Sequence, residues 1–541
     1  MKINKEILQD VKLPARYVGG EFNQVKKHKN VDLNIVLCYP AFYEDGMSSY
    51  EFRYIYSLLN NYKNVWCTRA FMPDIDMVKK LEKEKIKLYA LETMKQLKTA
   101  DILVFLVDDV LHYTNVIKML EMSGINAFSK DRENYPFVVG YGKCMENPFT
   151  MDTFFDIQMI GDNKEDLFSN LVTTILDNKK SSKNEILDLL KYKDGFYIKD
   201  KTLNVKKNDY KKITDIEYFP NYIVSNMKIK KDGILLKLKE GNVDISYKIL
   251  LEYVKLAYNT TGQKNVYLES KELPNYKDYK KLIDGIKNIN KNSNIFIDEI
   301  SIDDISSDFL EYIKTSTNNI DVNIYAGSYE LRKKLDVDIS DEKIIENIKL
   351  ILNNEFKKVC LKFYIGIPTE TYKDLEDIIT LITKIKNVTN SMYTKGDDEC
   401  IKVKFEIFDV KPHTKFQYFA RNKIEKLELK YKYLKSYLDK TKIYIVYDDI
   451  FKGVLKQILS LSNSCISNVI YQASKDGAIL DRYYNNMELW KSAFEKNKIS
   501  FKEYMNKDID TSDDLDIDKI DVGIKKDDII KKYNSIKGEK N

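Results

Sequence analysis

Between residues 31 and 180, short apolar runs alternate with amphipathic stretches, and this alternation constrains the fold more than any single residue does. Runs rich in Val, Ile, Leu and Phe at 31–39, 65–71, 88–91, 102–107, 137–141 and 157–160 have strand length. The stretches at 48–60, 75–84, 115–122 and 164–176 carry apolar residues at helical spacing. Strands joined through helices run parallel and are buried on both faces, so the pattern predicts an α/β domain with a Rossmann-like (flavodoxin-like) parallel sheet. Such sheets take ligands at the carboxyl ends of their strands, which predicts a ligand edge made of 40–49, 108–115, 140–148 and 161–165. Gly46 and Ser48 lie in the first of these turns. Gly140, Gly142 and Gly161 follow later strands, where a glycine lets backbone amides approach a ligand.

A second alternation runs from about 226 to 420, with strands expected at 234–239, 266–268, 295–297, 322–325, 359–365 and 403–408. Six strand–helix steps predict a partial (β/α)6 barrel of the TIM type. The chain thus divides into an amino-terminal arm (1–30), the Rossmann-like domain (31–180), a lysine- and aspartate-rich connector with a small hairpin at 195–205 (181–225), the partial barrel (226–420) and a helical, charged carboxyl-terminal region (421–541) whose stretch 508–518 is acidic and expected to be loosely ordered. The 88 basic and 83 acidic residues leave a net charge of +5, which gives no field of one sign and does not indicate nucleic acid. Cys38, Cys67, Cys144, Cys360, Cys400 and Cys465 are scattered with no CxxC pair, and the first ten residues lack an apolar core. The expectation is a soluble protein of the reducing cytoplasm, without disulfides or membrane contact.

Several segments carry a resemblance. Leu13-Pro-Ala-Arg-Tyr-Val-Gly-Gly-Glu-Phe-Asn23, Tyr43-Glu-Asp-Gly-Met-Ser-Ser49, His112-Tyr-Thr-Asn115, Gly140-Tyr-Gly-Lys-Cys-Met-Glu-Asn-Pro148 and Leu361-Lys-Phe-Tyr-Ile-Gly-Ile-Pro-Thr-Glu-Thr371 follow one another in order and spacing. Together they resemble the radical S-adenosylmethionine family that carries an N-terminal cobalamin (B12)-binding-type domain. The resemblance runs from about residue 11 to about 535. It implies S-adenosylmethionine, cobalamin and a [4Fe-4S] cluster as cofactors. It also implies that Gly366, Ile367, Pro368, Thr369 and Glu370, which match the family's GLPTET turn, are the surviving part of a nucleotide pocket. Phe408-Asp-Val-Lys-Pro-His-Thr-Lys-Phe-Gln417 resembles the family's FVPKPHTPFQ at the barrel rim, which makes Lys411 and His413 the candidate catalytic or anion-binding residues, beside the alternative that His413 caps a rigid loop.

The departures are as informative as the matches. The family places the three thiolates of its cluster, CxxxCxxC, after the first barrel strand. Here the strand-like run 233–241 passes through Asn242, Val243, Asp244 and Ile245 into a helical pattern, with no cysteine between Cys144 and Cys360. A cluster needs several thiolates converging on one small volume, so no metal ligands are assigned. Ser49 stands where the family's GMSH has histidine, no DxHxxG occurs, and Tyr325, Val337 and Asp338 replace a glutamate, a lysine and a glycine of the family pattern. Neither cluster nor cobalamin is supported by these residues, while S-adenosylmethionine or a related nucleotide remains open. Three functions follow: a degenerate member with a ligand-sensing, scaffolding or partner-binding role, whose partner would be an intact radical S-adenosylmethionine paralogue or another protein; an active radical enzyme with an atypical or partner-supplied cluster; or a non-radical enzyme using the barrel rim.

Overall fold

The computed structural model describes residues 5–27, 31–210, 222–240, 243–269, 273–314, 319–392, 401–441, 443–480, 486–502 and 508–538. Strands β1 (Leu33–Tyr39), β2 (Val65–Phe71), β3 (Ile102–Leu106), β4 (Phe137–Tyr141) and β5 (Ile157–Met159) pair in parallel in the order β2-β1-β3-β4-β5, and β6 (Phe196–Tyr197) adds antiparallel beyond β5. Helices α1 (Tyr50–Asn61), α2 (Ile75–Lys83), α3 (Tyr113–Ser123), α4 (Lys164–Asp177) and α5 (Lys183–Leu190) accompany them. All residues of β3 and β4 are buried, as expected of a parallel sheet covered on both faces. The run at 88–91 is not a strand. Its only bridge joins Tyr89 to Gln96, and its amides go to separate partners, Leu88 N to Met122 O and Leu91 N to Arg69 O. A segment whose amides serve different elements builds no ladder.

The expected hairpin at 195–205 is likewise absent. Phe196–Tyr197 joins the first sheet, whereas β7 (Val205–Lys206) pairs in parallel with Ile520–Asp521 of the carboxyl-terminal region. Beyond it come β8 (Ile234–Lys237), β9 (Lys239–Glu240), β10 (Val243–Asp244), helix α6 (Tyr247–Thr261), β11 (Asn265–Glu269), β12 (Asn294–Ile297), β13 (Ile300–Ser301), β14 (Asn319–Tyr325), β15 (Lys358–Ile365), α7 (Tyr372–Met392) and β16 (Ile401–Ile407). Parallel strands form one sheet of order β12-β11-β8 and another of order β13-β14-β15-β16-β17. The last, β17 (Tyr444–Tyr447), lies in the region expected to be helical and pairs with β16 from Lys402↔Tyr444 to Phe405↔Tyr447. Its residues are exposed or half-buried, so it gives none of the apolar contrast that marks an inner strand. Helices α8 (Ile424–Leu438), α9 (Ile450–Ser460), α10 (Ser467–Lys475) and α11 (Lys526–Lys537) complete this region. The acidic stretch is tied down through Asp518, whose carboxylate lies 2.8 Å from the Lys526 ammonium.

Burial separates the two units. In β15 and β16 buried and half-buried residues alternate strictly, so one face packs under helices and the other lines a concave polar surface. That surface is charge-paired: Lys362 lies 2.6 Å from Glu299, and Lys231 lies 2.8 Å from Glu269. The units are joined by buried polar contacts. Arg53 of α1 donates to Met47 O (2.6 Å) and to Gly233 O (3.0 Å) just before β8. Asn147 donates to Ser460 O and Ser462 O at 2.9 and 2.8 Å. The amino-terminal arm packs on the first domain, with Arg16 paired to Glu44 and Asp74, and Glu21 paired to the fully buried Arg69.

Candidate functional site

In the order β2-β1-β3-β4-β5 the direction of winding reverses between β1 and β3, and a crevice opens beside this point, at the carboxyl ends of β3, β4 and β5. The chain leaving β3 passes through Asp108 and Asp109. Asp109 caps the following turn by accepting from Leu111 N at 3.0 Å, and its other oxygen lies 2.7 Å from the Lys456 ammonium of α9. A cavity of about 360 Å³ lies here, walled by Asp108, Asp109, Tyr113, Lys143, Cys144, Glu146 and Asp162 of the first domain, by Lys207, and by Asp409, Lys411, Pro412, Lys456 and Ser460 from the barrel rim and α9. A smaller pocket of about 70 Å³ shares Asp108, Lys143, Glu146, Asp162 and Lys207 and extends to Glu51, Tyr141 and Lys237. Three of the four segments of the predicted ligand edge, 108–115, 140–148 and 161–165, therefore contribute to one wall of a cavity, the segment 40–49 does not, and Lys411 stands on the opposite wall.

The charges along this crevice are unevenly satisfied. Lys207 lies 3.4 Å from Asp162, 3.4 Å from Asp209 and 3.6 Å from Glu146; burial alone would lower its pKa, and these carboxylates raise it instead. Lys143 and Lys411 are exposed, and neither ammonium has a hydrogen bond or ion pair among the described residues. Burial raises the pKa of Asp108 and of Asp409, and Asp409 Oδ1 is buried with no partner. Burial also pushes the Cys144 thiol well up, which leaves it a poor thiolate. His413, at φ 57°, places its Nε2 3.0 Å from Glu146 O while its own N–H donates to Gln417 Oε1 at 2.7 Å. It therefore clamps the rim to the first domain, and burial lowers its pKa.

At the end of β8, where the resemblance predicts a cluster loop, stands a box of two lysines and two glutamates. Lys237 lies 2.6 Å from Glu51 and 2.9 Å from Glu240, while Lys164 lies 2.7 Å from Glu240 and 3.1 Å from Glu51. Lys164 is fully buried and Glu240 nearly so. Burial opposes ionisation of Glu51, but Lys164 and Lys237 outweigh it and hold its pKa at about 2; burial raises Glu240, with Glu51 adding repulsion. Glu165, the neighbour of Lys164, accepts from the hydroxyls of Tyr54 and Tyr210. After Glu240 the chain turns back as β10, antiparallel to β9, and enters α6.

The other residues expected to hold a cofactor have close protein neighbours, although Gly142 and Gly161 also line the smaller pocket. A Cβ on Gly46 would meet the Phe71 ring at 2.5 Å, on Gly140 Met145 Sδ at 2.8 Å, on Gly142 Val107 O at 2.7 Å, and on Gly161 Asn208 O at 2.0 Å. These glycines serve close packing of backbone and core. Ser48 Oγ donates to Glu44 O and accepts from Lys231 N at 3.1 Å, linking the domains. At the nucleotide turn, Gly366 has φ 82°, its N–H donates to Glu370 Oε2 at 2.8 Å, and its carbonyl accepts from Asn422 Nδ2 at 2.7 Å. Glu370 is further paired with Lys430 of α8 at 2.6 Å, Ile367 is buried, Pro368 is half-buried, and Thr369 accepts from Lys334 at 2.7 Å. This turn is covered by the segment entering α8.

The residues do not fit a [4Fe-4S] cluster. Cys38 and Cys67 are buried in the first sheet, Cys144 lines the crevice, Cys360 starts β15, Cys465 is exposed beside α10, and Cys400 lies outside the described residues, as does His28. Among the described residues, no group of three or more His, Cys, Asp or Glu is set to hold a metal ion. A whole corrinoid is far larger than the crevice, and Ser49, in place of an axial histidine, caps α1 by accepting from Phe52 N. Sequence reading missed Glu51, Lys237, Glu240 and Asp409. Lys237, Glu240 and Asp409 lie inside segments that were singled out and Glu51 lies beside one, but nothing in their spacing says that they converge.

A Rossmann-like sheet facing an open run of parallel β/α strands across a ligand-sized crevice defines the class of this protein. Residues 51–198 match the family model for the N-terminal region of radical SAM proteins, and residues 205–382 match the model of the Radical SAM superfamily. Together these span more than half of the chain, which belongs to the radical S-adenosylmethionine superfamily. An uncharacterized protein of Methanocaldococcus jannaschii is 24% identical over 493 residues, covering 85% of this chain and 98% of that protein. Among solved structures, the radical S-adenosylmethionine methyltransferase TsrM of Kitasatospora setae, with cobalamin and a [4Fe-4S] cluster bound, is 10% identical with a TM-score of 0.48 over 69% of this chain and 72% of that one. The cobalamin-dependent S-adenosylmethionine radical enzyme OxsB is 11% identical with a TM-score of 0.46 over 94% and 80% of the two chains. No helix among the described residues is long and apolar enough to cross a membrane.

Proposed function

We propose that this protein is a member of the superfamily that has given up cluster-based radical chemistry and retains the crevice between its two units as a binding site for a small polar ligand, in a sensing or partner-binding role. The observation that carries this reading is the Lys164–Glu240–Lys237–Glu51 box, which fills with paired side chains the end of β8 where a cluster loop is expected. The crevice itself offers two ammoniums unpaired among the described residues, Lys143 and Lys411, and two half-buried carboxyls, Asp108 and Asp409. That set suits a ligand bearing a carboxylate or phosphate together with amine or hydroxyl donors. S-adenosylmethionine has both in its methionyl part, and its size falls within the range of about 300–1,000 Å³ typical of ligand pockets.

Titration of the full chain with S-adenosylmethionine by isothermal calorimetry tests the reading. Saturable binding is expected, with Lys411→Ala weakening it by roughly tenfold, the effect of about 1.5 kcal/mol for a hydrogen bond to a charged group. Binding that Lys411→Ala and Lys143→Ala both leave unchanged would move the ligand elsewhere. Asp409, with one carboxyl oxygen buried and unpartnered and its pKa raised by burial, favours a second reading as a non-radical enzyme whose acid–base group faces the crevice. In that case the bound ligand is recovered chemically altered by the wild type and intact from Asp409→Asn.

A further inference from the structure

A second cavity, of about 850 Å³, lies at the opposite, amino edge of the first sheet. Its wall comes from the segment before β4 (Phe128 to Glu133), the residues preceding β5 (Thr153, Phe155, Asp156), the segment after β6 (Ile198 to Lys201), and the starts of α5 and α10. No residue of it touches the crevice described above. We propose that this cavity binds a phosphorylated small molecule of nucleotide size.

The buried cations of the wall carry the argument. Of its five cations, Lys199 and Lys201 are paired, with Asp152 at 3.0 Å and Asp188 at 2.9 Å, and Lys130 lies near Glu133 in sequence, which leaves Arg132 and Lys183. Asp156 alone serves both buried cations, lying 3.1 Å from Arg132 and 2.9 Å from Lys183, and it also accepts from Val138 N at 2.8 Å. One carboxylate shared by two buried cations leaves positive charge over. Burial lowers the pKa of Arg132 and of Lys183, and Asp156 does not fully restore either. The Arg132 guanidinium is held by carbonyls at Asn126, Ala127 and Phe154, yet its Nε is buried with no partner.

Two helices also begin in this wall. Ser182, Lys183 and Asn184 open α5, and Ser467 and Asn468 open α10, so the positive ends of two helix dipoles meet the same space. Ser467 is 97% buried by its relative exposure of 3%, and its Oγ has no hydrogen-bond partner. The remaining wall is apolar: Phe128, Phe155, Leu187 and Ile198 provide a surface for a flat organic group. Two buried cations that share one carboxylate, the unpartnered Arg132 Nε and Ser467 Oγ, and aromatic surface beside them match a phosphate carried on a ring system, and the volume exceeds what a lone phosphate needs.

The test is calorimetric titration of the full chain with ADP, with inorganic pyrophosphate as a second probe. ADP is expected to bind saturably, more tightly than pyrophosphate, and with affinity that falls as salt is raised. Lys130→Glu, at a surface position beside Phe128, is expected to weaken ADP at least tenfold, and Lys201→Ala to weaken it severalfold. Lys411→Ala, in the other cavity, should leave ADP affinity within twofold. No binding of either probe, or ADP binding that Lys411→Ala abolishes and Lys130→Glu spares, would overturn the proposal.

Discussion

Lys164 is the residue on which the site's electrostatics turn. Its ammonium is fully buried, sits 2.7 and 3.1 Å from Glu240 and Glu51, and lies 5.1 Å from the Tyr54 ring centroid. Replacing it by methionine keeps the apolar stem but leaves Glu51 and Glu240 to share the single ammonium of Lys237. Removing one partner of a buried pair costs about 3–5 kcal/mol, so Lys164→Met should lower the unfolding free energy measured in denaturant by up to that amount, and adding Glu240→Gln should recover part of the loss. Glu51 gives a pH signature with a defined sign. Its folded pKa is depressed from 4.5 to about 2, so its contribution is complete above the unfolded value and is lost as pH falls from 4.5 towards 2. Unfolding midpoints followed over that window should drop less steeply in Glu51→Gln than in the wild type; equal slopes would mean that Glu51 is not held ionised by the two lysines.

Among the elements, the turn after β15, where the resemblance implies a nucleotide pocket, packs closely against the segment entering α8. Gly366 at φ 82° is closed in by Asn422 and Leu427, each 2.8 Å from where a Cβ would stand. Gly366→Ala therefore meets both a left-handed backbone and a filled space, and should destabilise the protein by more than about 1 kcal/mol in thermal or denaturant unfolding. A wild-type-like midpoint would mean that the turn is open. The apolar runs that became β1, β2, β3, β4, β15 and β16 were legible because inner parallel strands are continuous or alternating in hydrophobicity. Tyr444–Tyr447 was not, because an edge strand half-exposed between charged helices has no such contrast. The glycines at 46, 140, 142 and 161 were recognisable as obligatory, but whether a ligand or a neighbouring chain segment fills the space beside them is a tertiary fact.

At the scale of the whole molecule, the carboxyl edge of the first sheet and the barrel rim face each other as expected, and Lys411 and the 108–115 and 140–148 segments meet in one cavity. The lysine–glutamate box was invisible in the sequence because Glu51, Lys164, Lys237 and Glu240 come from both units, and each reads alone as a solvated charge. Convergence of distant charges is fixed by packing, which spacing along the chain does not encode. The superfamily's architecture is thus retained, and ion pairs stand at the end of β8, where the resemblance implies a cluster loop. The most direct measurement is iron per chain, with the visible absorption spectrum, after anaerobic purification of the full chain and reconstitution with iron and sulfide. The proposed loss of radical chemistry predicts no stoichiometric iron and no broad charge-transfer absorption. About four irons per chain, with absorption that a cysteine substitution abolishes, would contradict it and identify the ligands.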